Sequence, residues 1–284
     1  MRSADGTSVD ETMTQQKTSF DILDPWVAGI DIGSTMVKAV LYNGSQYRAL
    51  LTISGWNPKK IASDLLTSLC NENGLFAHPP IIATTGYGRR CLDTATISPT
   101  EISCHAAGAR FLVPGCRFVI DIGGQDVKGI QLSVGGDVED FVMNDKCAAG
   151  TGRFLSTMGA ALGIHVDKLA KYATGVEPHR INSMCTVFAE SEVIGLINQG
   201  VSREAIVAGI DASIARRTAS MVAGLNPQPP IVFTGGVAQN GDIVARLENE
   251  LRQMVVVPRD GIYAGALGAA LLAWEHRLPA EECR

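Results

Sequence analysis

GIDIGSTMVKAVL, Gly29 to Leu41, and VIDIGGQDVKGIQL, Val119 to Leu132, are two versions of one phrase set ninety residues apart. In each, an apolar strand runs into Asp-Ile-Gly and a short turn. Val-Lys then leads into a second alternating apolar stretch, the pattern of a β-hairpin at the start of an α/β unit. A phrase that returns at a fixed offset marks an internal repeat, so each half of the chain is expected to begin in the same way. An Asp at the end of a strand with Gly in the turn lets backbone N–H groups approach phosphate oxygens, while the carboxylate faces a metal ion or its water shell. One copy reads equally well as a tight turn with no ligand. Two copies in register, facing each other, would clamp a nucleotide–Mg²⁺ complex from both sides.

A third element points the same way. PIVFTGGVAQNGDI, Pro230 to Ile243, is an apolar strand, then Gly235-Gly236, then a helix start with Asn240 and Asp242. Paired glycines admit a flat ligand such as adenine against the backbone. No GxxxxGK[ST] and no GxGxxG occurs, which removes the P-loop and the dinucleotide fingerprint. Two phosphate hairpins followed by this turn resemble the actin-like ATPase superfamily: an α/β fold of two related domains with the nucleotide in the cleft. The resemblance implies that Asp31, Ser34, Thr35, Met36, Val37 and Lys38 form the first phosphate loop. It implies that Asp121, Gly123, Gly124, Gln125 and Asp126 form the second, and Gly235, Gly236 and Asn240 the adenosine site. Within it, Asp31 faces the metal, Lys38 neutralises developing phosphate charge, and Gln125 or Asp126 orients the attacking water.

Bulk properties bound the alternatives. A chain of 284 residues is long enough for two modest domains. A net charge of −5 without clustered Lys and Arg argues against a nucleic-acid partner. The polar first two dozen residues lack a signal-peptide core and no run is apolar enough to span a bilayer, so a cytoplasmic protein with no membrane partner is expected. The expected organisation is a flexible polar extension over 1–25, a first domain over 26–115 and a second over 116–284. The small-residue helix YAGALGAALLAW, Tyr263 to Trp274, is a candidate to pack back on the first domain.

Seven cysteines without CxxC spacing fit a reducing compartment. In NDKCAAGTGRF, Asn144 to Phe154, Cys147 precedes a helical pattern of Phe154, Leu155, Met158, Ala161 and Leu162 that ends at Gly163. Cys185 likewise precedes Val187, Phe188, Ile194 and Ile197, closed by Gly200. Both cysteines would then stand at positive helix ends, which favour thiolate. Two thiolates are too few for an Fe–S site, and a two-fold dimer would supply two more. On spacing alone, small buried residues are the simpler account. Cys70, Cys91, Cys104, Cys116 and Cys283 read as structural or surface thiols, and Glu190 and Glu192 as solvated helix charges.

The wording around the two cysteines is more specific. NDKCAAGTGRFL and CTVFAESEVIGLINQG, with ATTGYGR at Ala83 to Arg89, EISCHAAGA at Glu101 to Ala109 and IDIGGQDVK, are similar to the BadF/BadG/BcrA/BcrD ATPase family, the activators of 2-hydroxyacyl-CoA dehydratases and ATPase subunits of benzoyl-CoA-type reductases. The resemblance implies that Cys147 and Cys185 bind one [4Fe-4S] cluster shared across a dimer of two copies or of paralogous subunits, each also binding ATP and Mg²⁺. The implied activity is ATP-driven delivery of single low-potential electrons from a ferredoxin or flavodoxin to catalytic CoA-thioester reductase or dehydratase subunits. The Arg- and Ala-rich composition leans toward the reductase setting. Two rival readings use the same cleft without the cysteines: a small-molecule kinase, and a nucleotide-gated binding module without redox chemistry.

Overall fold

A computed structural model describes residues 26–75, 79, 81–183 and 185–277. The polar extension over 1–25 and Cys283 lie outside the described residues. The first copy of the repeated phrase folds as β1 (Val27–Ile32) and β2 (Met36–Tyr42), paired antiparallel with Asp31 opposite Lys38. After β3 (Tyr47–Ile53), the chain enters α1 (Pro58–Glu72) and returns as β4 (Ile82–Thr85), parallel to β1. The order is β3-β2-β1-β4. Every residue of β1 is buried, because α1 covers one face of the sheet through Leu65, Leu66 and Leu69 and the last helix of the chain covers the other through Ala266 and Ala270. Asn57 starts that helix by accepting the Lys60 amide, with Pro58 in its first turn.

Helix α2 (Glu101–Leu112), capped by Thr100, leads to the second copy. There β5 (Phe118–Ile122) and β6 (Val127–Leu132) pair antiparallel with Asp121 opposite Lys128, the same register as in the first hairpin. Strand β7 (Val138–Asn144) follows, then α3 (Gly152–Leu162), α4 (Leu169–Ala173), α5 (Thr186–Asn198) and α6 (Arg203–Val222). Strand β8 (Ile231–Thr234) lies parallel to β5, α7 (Gly241–Leu251) follows, and β9 (Val255–Val256) completes the order β7-β6-β5-β8-β9. Gly163 ends α3 in the left-handed region, with φ of 67°.

The last helix, α8 (Ala264–His276), does not stay with the second sheet. Its Ala266, Leu267, Ala269, Ala270 and Ala273 share a core with Val27, Val40, Tyr42, Ala83 and with Cys104 of α2. Helices α2 and α8 therefore pack on each other where the chain passes between the two halves. Among the described residues, no helix is long and apolar enough to cross a membrane.

Candidate functional site

The repeat brings two Asp–Lys pairs to the ends of the central strands. Lys38 Nζ lies 2.9 Å from Asp31 Oδ2. Burial pulls the Lys38 ammonium toward neutrality, but the Asp31 carboxylate and its hydrogen bond outweigh this and leave the pKa raised, so Lys38 stays charged. The second pair is more elaborate. Lys128 is buried, 3.5 Å from Asp121, 3.0 Å from Glu101 of α2 and in contact with Asp126. Burial opposes its charge, yet Asp121 and the other two carboxylates raise its pKa. Asp121 is buried, accepts from Thr234 Oγ1 at 2.8 Å and has His105 Nδ1 at 3.3 Å. Burial alone would raise its pKa; His105 and Lys128 more than reverse that and hold it at about 2.

The two turns meet. A β-carbon placed on Gly124 would fall 2.0 Å from Thr35 Oγ1, so the second turn touches the first at its tip. Ser34 and Gln125 line one cavity of about 250 Å³ with Gly33, Ser54 and Tyr87. Met36 is partly exposed, whereas the Val37 side chain belongs to the core of the first sheet. Asp126 points its carboxylate at Lys128 and at the α-carbon face of Gly123. Asp31, Ser34, Thr35, Lys38, Asp121, Gly123, Gly124, Gln125 and Asp126 are therefore brought together around one cleft.

The strand-Gly-Gly-helix turn is more mixed. Gly236 is exposed, and Gly235, at φ of 88°, sits where a β-carbon would lie 3.0 Å from Asp121 Oδ1 and closer still to the Ile122 carbonyl. Asn240 is engaged elsewhere: its Oδ1 accepts from the amides of Asp242 and Ile243 as the N-cap of α7, and its Nδ2 donates to Asp211 Oδ2 at 3.1 Å. The sequence placed Asn240 at a helix start; its bond to Asp211 of α6 comes from the tertiary structure.

The two cysteines stand on the segments leading into α3 and α5. Cys185 is exposed and is the N-cap residue of α5. Cys147 is half-buried, its carbonyl accepting from Asn144 Nδ2 at 3.1 Å, and it precedes the α3 N-cap Thr151 by a full turn of loop. The expectation that both stand at helix ends therefore holds for Cys185 only. The α3 end is also occupied: the amides of Gly152 and Arg153 donate to the carbonyls of Gly123 and Gly124, each at 2.9 Å. That links the loop carrying Cys147 to the turn of the second hairpin. Glu192 is not a solvated charge; it accepts from Asn182 N and Nδ2 and from Ser183 N at 2.8–3.1 Å, tying the segment before Cys185 to α5.

Sequence reasoning missed Lys128, Glu101 and His105. Lys128 was readable from the Val-Lys shared by both copies. It also missed a second repeat: Thr85 opposite Asp31 and Thr234 opposite Asp121, each followed by glycine at positive φ, Gly86 at 87° and Gly235 at 88°. A β-carbon on Gly86 would lie 2.5 Å from Asp31 Oδ1, so in both halves this glycine opens the space beside the aspartate. Among the described residues, no three His, Cys, Asp or Glu side chains are grouped to hold a metal ion. Cys147 and Cys185 are both free and reachable by solvent on segments leading into α3 and α5, which pack on each other; by donor chemistry, two such thiols are half of a four-thiolate iron–sulfur set.

Comparison with known proteins places this geometry. The chain is 42% identical over 254 residues to the 2-hydroxyisocaproyl-CoA dehydratase activator of Clostridioides difficile, covering 88% of this chain and 95% of that one. It is 35% identical over 258 residues to one of the subunits of the benzoyl-CoA reductase of Thauera aromatica, covering 86% and 91%. The solved structure of the activator of the 2-hydroxyisocaproyl-CoA dehydratase from Clostridium difficile with bound ADPNP matches with a TM-score of 0.84 at 40% identity, over 88% of this chain and 95% of that one. The fold is that of the actin-like ATPases. Residues 28–273 match the family description itself, and the chain belongs to the BadF/BadG/BcrA/BcrD ATPase family.

Proposed function

We propose that this ATPase delivers single low-potential electrons to a CoA-thioester enzyme, with Cys147 and Cys185 of two subunits holding one [4Fe-4S] cluster. The observation that carries this reading is the direct hydrogen bonding of Gly123 and Gly124, in the phosphate turn, to the first amides of α3, one loop away from Cys147. When bound, the cluster supplies one-electron transfer at a potential tuned by its surroundings. The protein's own part is mechanical and electrostatic. Asp31 and Asp121 would face hydrated Mg²⁺, Lys38 would stabilise charge on the transferred phosphate, and Gln125 would orient water. Movement of the second turn on hydrolysis would shift α3 and so the Cys147 loop. A shift of ~60 mV corresponds to about 1.4 kcal/mol for one electron, so a few hundred millivolts lies within reach of a nucleotide-driven rearrangement.

Supporting a dimer, α5 exposes Val187, Phe188 and Ile194 beside Cys185, an apolar face that a second subunit would cover. Greater identity to the dehydratase activator than to the reductase component favours a freestanding homodimer serving a 2-hydroxyacyl-CoA dehydratase, against the lean that composition alone suggested. Reduced ferredoxin or flavodoxin in the cytoplasm would be the donor. Anaerobic purification, reconstitution, and iron and sulfide analysis test the reading: about four of each per dimer is expected. Cys147→Ala and Cys185→Ala should each remove the cluster while ATP binding survives. An iron-free dimer after reconstitution would sink the electron-transfer reading and leave a nucleotide-gated module.

A further inference from the structure

His105 projects from α2 into the floor of the nucleotide site, and nothing assigned so far uses it. It is buried, and its Nδ1 lies 3.3 Å from Asp121 Oδ1 without the alignment of a hydrogen bond, so that nitrogen has no bonded partner. On the other side of the ring stands Gly265, in the first turn of α8. A β-carbon there would fall 3.0 Å from His105 Nε2 and 3.4 Å from Asp31 Oδ2. The imidazole is thus wedged between the aspartate of the second sheet and the backbone beside the aspartate of the first. One turn earlier on the same helix face, Glu101 reaches Lys128 at 3.0 Å. Helix α2 therefore presents two polar side chains to the reacting floor.

A buried ring packed between two carboxylate-bearing strand ends is a poor choice for a core filler, because an apolar side chain of similar volume would avoid the unpaired nitrogen. We infer that His105 is a positioning residue for ATP hydrolysis: it sets the Asp121 carboxylate relative to Asp31 and, through Gly265, transmits the placement of α8 to that carboxylate. The absence of a side chain at Gly265 is what lets the ring stand there. Binding of the nucleotide by the turns and Gly235-Gly236 does not depend on this wedge, whereas alignment at the moment of hydrolysis does.

The test uses the full chain with three readouts: steady-state ATP hydrolysis, affinity for a fluorescent ATP analogue, and melting temperature. His105→Phe and Gly265→Ala are expected to lower kcat by about tenfold or more, since displacing a reacting group by a fraction of an ångström has effects of that order. Affinity should change by less than about threefold. His105→Asn, which keeps an N–H donor near the Nδ1 position, should recover more activity than His105→Gln, whose donor sits nearer Nε2. This ranking would not arise from a merely structural role, and it decides the matter should His105→Phe fail to fold. Wild-type kcat in His105→Asn and His105→Gln alike, or a parallel fall of kcat, affinity and melting temperature across the series, overturns the inference.

Discussion

Asp211 illustrates what single residues do in this protein. It is fully buried on α6, its Oδ2 accepts from Asn240, its Oδ1 has no partner, and Asp242 lies close by, paired with Arg246 at 2.5 Å. Burial, reinforced by the Asp242 charge, raises its pKa to about 8. The folded chain therefore keeps a proton that the unfolded chain has already released. That stabilisation is complete below about pH 4 and is lost as pH climbs toward 8. Asp211→Asn should remove the dependence, raising stability at pH 8 by about 1–2 kcal/mol and changing it little at pH 4.5, as read from urea midpoints across that range. The actin-like resemblance put Asn240 in the adenosine site and gave no view of Asp211. The two meet only because α6 lies beside the start of α7.

At the scale of elements, helical spacing predicted α3 and α5 but not which side of α5 faces inward. Val187 and Phe188 are each 67% exposed and Ile194 is 48% exposed, while Ala189, Val193 and Leu196 are buried. Apolar residues occupy both sides of this helix, so periodicity could not rank its faces. For α3 it could: Phe154, Leu155, Met158 and Leu162 are buried as the spacing indicates. Helices α2 and α8 show the opposite case, in which small residues matter for what they lack. A β-carbon on Gly268 would fall 1.7 Å from the Cys104 carbonyl, and one on Gly108 2.0 Å from the Ala264 carbonyl. Gly268→Ala should force these helices apart and destabilise the fold by about 3 kcal/mol, measured by urea denaturation of the full chain. A change below half that would mean the crossing yields more easily than these distances imply.

For the whole molecule, the decisive contact is between the tips of the two repeated turns. Gly124 approaches Thr35 so closely that an added methyl group would have to push the Thr35 side chain and its β-carbon away. Gly124→Ala should therefore hold the two halves slightly apart and weaken ATP affinity by roughly tenfold, about 1.4 kcal/mol, with little change in the melting temperature of the nucleotide-free protein. Calorimetric titration together with a thermal melt would check this, and unaltered affinity would show that closure does not bring the tips together. The same contact places α3, bonded to Gly123 and Gly124, under the control of the cleft.

Sequence alone determined the duplicated hairpins and the strand-Gly-Gly-helix turn, while the two candidate cluster cysteines came from the family resemblance of the words around them. The hairpins and the turn depend on residues near one another along the chain: strand alternation and turn glycines act over a few residues, and duplication makes the signal visible twice. Tertiary structure decided the rest. Lys128 gathers Asp121, Asp126 and Glu101 because α2 crosses beneath the second hairpin, and His105 reaches Asp121 because α8 returns to the first sheet and brings Gly265 beside it. Asn240 meets Asp211 of α6, a partner that no local spacing encodes. The contacts made by Glu101, His105, Gly265 and Asp211 join segments separated by whole elements, and they form only once burial of the apolar faces has fixed where each helix lies.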